Sequence, residues 1–161
     1  MQVRRAAARI MSQNLFLSNV AEIQISYSTK VKPSDRQKIT CSKDAAEILR
    51  QIFPGFEHRE FFYILTLNRA NRVLGYFEVS KGGVSGTVVD TKLILQAALK
   101  TNASGIIMCH NHPSGTLEAS DADLKITRKV KSACSFLDLS MLDHLILTTD
   151  TYLSMADEGI I

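Results

Sequence analysis

The sequence has few of the residues and patterns that would assign it to a specialised class of protein. It contains three prolines and 22% charged residues in a chain of 161, a composition that does not favour disorder. The three cysteines are Cys41, Cys109 and Cys134, and they form no Cys-x-x-Cys pair, which argues against a disulfide framework or a cysteine-bound zinc. The uninterrupted apolar stretches are only a handful of residues long, too short to span a membrane.

The length and the hydrophobic content of 45% fit one folded domain with a substantial core. We expect an N-terminal arm at residues 1–19 and a domain at 20–161. Residues 1–10 are basic and alanine-rich without the apolar segment of a signal peptide, so we expect a cytoplasmic protein. Whether they form a disordered arm or a short helix, or precede a true start at Met11, stays open. The net charge of +3 is weak evidence about partners.

Hydrophobic periodicity and turn residues predict strands that alternate with helices. The predicted strands are 20–27, 60–67, 73–79, 105–109, 139–147 and 152–154, and the predicted helices are 42–53, 90–100 and 120–136. Ser42 and Ser120 are expected as N-caps, and the glycine-rich segment 81–86 is expected as a flexible loop. Leu93 and Ala97 are expected as inward residues of the second helix, with Ile94 as a further candidate. This order indicates an α/β domain with a mixed sheet flanked by helices.

The segment that follows the apolar strand 105–109 carries the pattern most typical of chemistry. His110 and His112 are two residues apart, so on a strand they share one side and converge at its carboxyl end. The turn after them returns the chain to Asp123, in the first turn of the next helix. Two imidazoles and one carboxylate suit a catalytic zinc, which keeps its fourth position for water. Taken singly, the histidines also fit a hydrogen-bonded turn, and Ser120 with Asp123 fits a helix capping box.

A catalytic zinc also needs a base that moves the proton of its water. The candidate glutamates are Glu57, Glu60, Glu78 and Glu118. Glu60 is favoured because it stands at the head of an apolar strand, where an acid has no packing role. A plain ion pair of Glu60 with Arg59 or Lys81 stays the alternative.

These motifs together resemble a known family. The spacing His-x-His-Pro, then Ser120-x-x-Asp123, resembles the JAMM motif of the JAB/MPN metalloprotease superfamily. The longer sequence segments at 110–115, 142–146 and 154–159 are similar to those of the RadC-like branch. The similarity covers about residues 40–161.

The resemblance implies a JAB/MPN fold, related to that of cytidine deaminases, with zinc bound by His110, His112 and Asp123. It implies that Glu60 is the catalytic glutamate and that Ser120 helps to hold the tetrahedral intermediate. His144 matches a histidine typical of the branch, and a histidine within an apolar strand is more often a buried hydrogen-bonding residue than a fourth ligand.

Two departures from the branch limit what the resemblance carries. Full-length members often have a helix-hairpin-helix segment before this domain, and no sign of it is found here, which weakens an expectation of DNA binding. Where the family commonly has Pro-Arg-Glu at the start of the middle helix, this chain has residues 89–91 as Val-Asp-Thr. A contact made by that arginine is therefore not expected.

The sequence predicts a zinc-dependent hydrolase that cleaves an amide or isopeptide bond in a peptide or protein substrate. The alternative is a DNA-associated factor of repair or mobile elements, whose basic face would use Arg69, Arg72, Lys125, Arg128, Lys129 and Lys131. A catalytically silent binding module is a third possibility, against which the intact ligand set argues. A zinc deaminase is excluded because its Pro-Cys-x-x-Cys segment is absent. No membrane partner is expected, and homodimer formation stays open.

Overall fold

A computed structural model describes residues 26–82 and 88–161, which form a sheet with helices on both faces. The predicted arm at 1–19, most of the predicted strand at 20–27 and most of the loop at 81–86 lie outside the described residues. The strands are β1 (Phe61–Leu67), β2 (Val73–Lys81), β3 (Gly105–Asn111), β4 (Ser140–Leu147) and β5 (Tyr152–Ser154). The helices are α1 (Ser42–Ile52), α2 (Thr91–Lys100) and α3 (Asp121–Ser135), after a 3₁₀ turn at Pro33–Asp35.

The five strands form one sheet in the order β2-β1-β3-β4-β5. Strands β3 and β4 are parallel and joined through α3, while the other neighbours are antiparallel. The predicted mixed α/β sheet is therefore confirmed. Strand β3 is central and buried along its whole length, as its apolar sequence predicts.

Two hydrophobic cores cover the two faces of the sheet, because successive side chains of a strand point to opposite sides. Phe61, Tyr63 and Leu65 of β1 pack with α1, whereas Phe62 and Ile64 pack with α2 and α3. Strand β3 divides in the same way, with Ile107 and Cys109 facing α1, and Ile106 and Met108 facing α2 and α3. The next even-numbered side chain, His110, consequently faces α3.

The structure corrects several predicted details. Cys41, not Ser42, is the N-cap of α1, and its amide donates to the Asp44 carboxylate at 3.3 Å. Of the residues predicted to face inward on α2, Ile94 is fully buried, Ala97 is half-buried and Leu93 is exposed. Ala98, which was not predicted, is fully buried, because the sheet selects which side of the apolar stripe faces it.

The strand boundaries also differ from the predicted ones. Strand β1 begins at Phe61, one residue after Glu60. Strand β2 continues to Lys81, which pairs with Phe61. Strand β3 continues through His110 and Asn111, because polar side chains there find partners inside the fold.

The three helices are 11, 10 and 15 residues long. In the part of the chain that the structure describes, none of them has the length and apolar character needed to cross a bilayer.

Candidate metal centre

Three side chains from two segments meet at the carboxyl end of β3. The Nε2 atoms of His110 and His112 are 3.0 Å apart. Asp123, in the first turn of α3, places Oδ1 at 3.2 Å from His110 Nε2 and Oδ2 at 3.7 Å from His112 Nε2. Donors held roughly 2.1 Å from a tetrahedral ion lie roughly 3.4 Å from one another. The observed separations bracket that value, so these three residues can hold a metal ion.

The turn after β3 fixes how His112 presents its ring. Its Nδ1 is 2.7 Å from the carbonyl oxygen of Thr116, which can only accept, so Nδ1 carries the hydrogen and Nε2 is left as the ligand atom. Thr116 reaches this position because Gly115 adopts a φ of 78°, in the left-handed region. The predicted turn of Pro113, Ser114 and Gly115 thus serves to orient one ligand.

Electrostatics of the group favour a cation between the ligands. Burial alone would raise the pKa of the Asp123 carboxyl, but the interactions with His110 and His112 outweigh it and hold the pKa far below its ordinary value. Conversely, the nearby Asp123 carboxylate raises the pKa of His112 against the opposing effect of burial. A proton and a metal ion compete for the same ligand atoms, so binding of a divalent cation here would displace a proton from His112 wherever one is bound.

Glu60 lies beside this group. The register of β1 against β3 pairs Phe62 with His110, which places Glu60 opposite His112. Glu60 lines a cavity of about 190 Å³ together with His110 and Asp123, and its charge contributes to the raised pKa of His112. Its backbone carbonyl accepts from the Gly82 amide at 2.8 Å, which anchors the residue directly before β1.

The other three candidate glutamates lie elsewhere in the fold. Glu57 and Glu118 are exposed on loops, and Glu78 accepts a hydrogen bond from Tyr63. Glu60 is the one of the four that lines the cavity of the metal group.

The comparisons with known proteins agree with this architecture. The chain matches the RadC-like JAB domain family over residues 39–160. This chain belongs to that family. It is 48% identical over 124 residues to a UPF0758 protein of Flavobacterium johnsoniae, covering 77% of this chain and 54% of the relative. UPF0758 proteins of Salinibacter ruber and Porphyromonas gingivalis are 34% and 37% identical, covering 79% and 78% of this chain and 54% and 56% of the relatives. The RadC-like chain thus spans about half the length of these curated relatives, whose names state no activity.

Ser120 caps α3 in this RadC-like JAB domain, as the sequence predicts. Its hydroxyl donates to Asp123 Oδ2 at 2.6 Å and accepts from the Asp123 amide at 3.2 Å, while its own amide donates to Oδ2 at 2.8 Å. These contacts form the capping box, and they leave Oδ1 turned toward His110. The Asp123 carboxylate therefore both caps α3 and lies with His110 and His112 in the candidate metal site.

His144 is a buried hydrogen-bonding residue, as expected, and lies outside the metal group. Its side chain is fully buried on β4, with Nε2 at 2.9 Å from His110 Nδ1 and Nδ1 at 2.6 Å from Thr127 Oγ1. Burial, and the nearby His110, hold the pKa of His144 well below its ordinary value. Sequence reasoning missed Thr127, although its position four residues after Asp123 puts it on the same side of α3.

Asn111 was also missed, and it supports the segment that carries Glu60. Its side chain points to the opposite side of β3 from His110 and is fully buried. The carboxamide accepts from the Phe61 amide at 2.7 Å and donates to the carbonyls of Phe56 at 3.1 Å and Arg59 at 2.8 Å. Its place between the two histidines was the available signal, because neighbours on a strand face opposite sides.

The cysteines take no part in the RadC-like site. Burial raises the pKa of the Cys109 thiol well above its ordinary value and that of Cys134 to about 11. Both lie in the hydrophobic cores, where a neutral thiol packs as a small apolar group, and Cys41 is exposed.

Proposed function

We propose that this RadC-like JAB domain is a zinc-dependent hydrolase of amide or isopeptide bonds. The observation that carries the proposal is the convergence of His110, His112 and Asp123 on one point, with Glu60 lining the same cavity. Two imidazoles and a carboxylate match the donor set of catalytic zinc sites with an open fourth position. A zinc ion there would supply Lewis acidity and lower the pKa of a water molecule toward 7.

In this mechanism Glu60 moves the proton. Its carboxylate accepts a proton from the attacking water and then delivers it to the nitrogen of the leaving amine. Its location at the head of β1, held by Gly82 on the backbone side, keeps the carboxylate at the cavity wall.

Ser120 and the cavity complete the proposed chemistry. The exposed Ser120 hydroxyl donates to Asp123 in the resting state, and we infer that it transfers this hydrogen bond to the developing oxyanion. The apolar side chains of Phe62, Val89 and Ile126 line the cavity and limit the access of bulk water to the reacting carbonyl.

Zinc titration of the purified protein tests the first half of the proposal. We expect one zinc per chain, and loss of binding in His110→Ala and His112→Ala variants that still fold. An unchanged metal content in these two variants would contradict the ligand assignment.

Cleavage assays test the second half. Linear peptides and lysine-branched isopeptides are incubated with the zinc-loaded protein, and the products are identified by mass spectrometry. Glu60→Gln should bind zinc normally while cleavage falls by roughly 10²–10⁴-fold. Glu118→Gln makes the same chemical change on an exposed loop and should leave the rate unchanged. A Glu60→Gln protein that cleaves as fast as the wild type would overturn the proposed role.

Association with DNA is a second proposal, favoured by one observation. Four cations on α3 are exposed along the helix: Lys125, Arg128, Lys129 and Lys131. Phosphate contacts of this kind give binding that weakens steeply as salt rises. A mobility shift with duplex DNA that disappears when all four are changed to glutamine would support it. A shift that is absent at low salt would rule it out.

A further inference from the structure

Behind the metal group lies a chain of buried hydrogen bonds that joins two of the three ligands. It runs from His110 Nδ1 to His144 Nε2 at 2.9 Å, from His144 Nδ1 to Thr127 Oγ1 at 2.6 Å, and from Thr127 Oγ1 to the Asp123 carbonyl at 2.6 Å. His110, His144 and Thr127 are 4%, 0% and 1% exposed. Water therefore cannot substitute for any of these partners without a rearrangement of the core.

The position of every hydrogen in this series of hydrogen bonds follows from its last acceptor, the Asp123 carbonyl. The Asp123 carbonyl can only accept, so the Thr127 hydroxyl donates its single hydrogen there. The thioether of Met155, 3.6 Å from the same hydroxyl, is a weak acceptor and does not compete with the carbonyl. Thr127 Oγ1 is then an acceptor toward His144, so Nδ1 of His144 carries the hydrogen.

The same logic continues to the ligand. With its hydrogen on Nδ1, the His144 ring presents a lone pair on Nε2, and it accepts from Nδ1 of His110. Within the described part of the chain, the ring nitrogens of His144 contact His110 and Thr127 and no carboxylate that would hold a second hydrogen. His110 is consequently hydrogen-bearing at Nδ1, and its Nε2 lone pair points toward His112 and Asp123.

We propose that His144 and Thr127 are positioning residues that fix the tautomer and ring orientation of His110, so that Nε2 is ready to bind zinc. This rests on the proposed zinc site but not on hydrolytic activity. An acceptor behind a ligating imidazole makes the ligand nitrogen more basic, and loss of such a partner typically weakens metal binding 10–100-fold. Phe62, whose ring is stacked on His110 at an interplanar angle of 4°, restricts the same ring from its face.

The same series of hydrogen bonds connects His110 and Asp123 through the hydroxyl of Thr127. Thr127 binds the backbone carbonyl of Asp123 and, through His144, the ring of His110. Loss of the Thr127 hydroxyl therefore releases the tautomer of His144 and leaves the Asp123 carbonyl without this donor. We expect Thr127→Val to weaken zinc binding, and Thr127→Ser, which keeps the hydroxyl, to retain most of the affinity.

Two substitutions of His144 separate the positioning role from packing. His144→Leu removes the acceptor, and we expect zinc affinity, measured by competition with a chelator, to fall 10–100-fold. His144→Gln can place its amide oxygen where Nε2 was, so it should restore much of the affinity. Thr66→Val is the matched control for Thr127→Val, because Thr66 is equally buried on β1 and its hydroxyl donates to the Gly75 carbonyl, away from the candidate site. Wild-type affinity in His144→Leu, or equal losses in folded Leu and Gln variants, would overturn the proposal.

The tautomers themselves give a readout that needs no metal. Long-range ¹⁵N–¹H NMR spectra of histidine-labelled, metal-free protein should show hydrogen on Nδ1 of both His110 and His144. Hydrogen on Nε2 of His144 would overturn the proposed direction of these hydrogen bonds, whether or not the protein binds zinc. Absence of zinc binding in a wild-type protein with the expected tautomers would instead defeat the proposed function.

Discussion

His112 is partly buried beside a carboxylate, and a proton competes with zinc for its Nε2. The nearby Asp123 carboxylate raises the pKa of His112 above its ordinary 6.5, so the ring keeps its proton to a higher pH than a free histidine. A ligand must be deprotonated to bind a metal. The same contact that assembles the site therefore also sets the pH at which it becomes available.

We expect zinc affinity to rise with pH and to continue rising above 6.5, because the raised pKa of His112 delays its deprotonation. In the metal-free protein the contribution of His112 to stability changes with pH in the opposite direction. The stability that protonated His112 contributes is complete below its unfolded pKa and is lost as pH rises through the raised folded pKa. Zinc affinity and thermal unfolding of the metal-free protein, each followed from about pH 5 to about pH 8, check both trends. Affinity independent of pH over this range would contradict the assignment of His112 as a ligand.

The sequence predicted which residues would meet in the candidate site, but not their supporting contacts. His110, His112 and Asp123 are separated by a short turn, so their convergence is a local matter that spacing reveals. His110 bonds His144 of β4, and His144 in turn bonds Thr127 in the middle of α3. Their contacts depend on how α3 packs on the sheet, and one sequence carries no direct record of that packing.

At the scale of elements, the turn between β3 and α3 depends on one glycine. Gly115 has a φ of 78°, and a Cβ added there meets nothing within 4 Å. The cost of a side chain at this position is therefore backbone strain alone, about 1–2 kcal/mol for an L-residue in the left-handed region.

We expect Gly115→Ala to lower the free energy of unfolding by about 1–2 kcal/mol and to weaken zinc binding, because the strained turn loosens the Thr116 carbonyl from His112. Chemical denaturation and zinc competition measure the two effects. Gly55→Ala is the control, since its Cβ also meets nothing within 4 Å and its φ is not in the left-handed region. Equal zinc affinity of the Gly115→Ala and Gly55→Ala variants would show that the turn does not orient His112.

The elements themselves were largely predictable, because apolar runs and helix caps are local signals. The apolar run of β1 and the Ser120 cap of α3 were placed within a residue. The end of β3 was not, because Asn111 is polar and its place in the strand depends on partners in a distant segment. The prediction that Leu93 faces inward was wrong for a similar reason. The apolar stripe of α2 is wide, and packing on the sheet decides which side of it is buried.

For the whole molecule, a metal at this centre would join the end of β3 to the start of α3. An ion bound by the folded state and not by the unfolded chain stabilises the fold by RT ln(1 + [L]/Kd). We expect zinc at 100 times its Kd to raise the free energy of unfolding by about 2.7 kcal/mol. Thermal unfolding with zinc, and after addition of a chelator, measures this shift.

The same titration with His112→Ala should give little zinc-dependent shift. A wild-type midpoint that does not move with zinc would show that the folded state has no preferential affinity for the ion. A shift of equal size in His112→Ala would place the stabilising ion elsewhere in the protein.

The last two residues of β3 and the residue that follows them serve opposite sides of the sheet. His110 and His112 face Asp123, while Asn111 holds the segment that leads into Glu60. Inserting or deleting a single residue within β3 would exchange the two sides, turning the imidazoles toward α1 and the carboxamide toward the cavity. A length change inside the strand would therefore displace His110, His112 and Asn111 together, and with Asn111 the support of the segment that leads into Glu60.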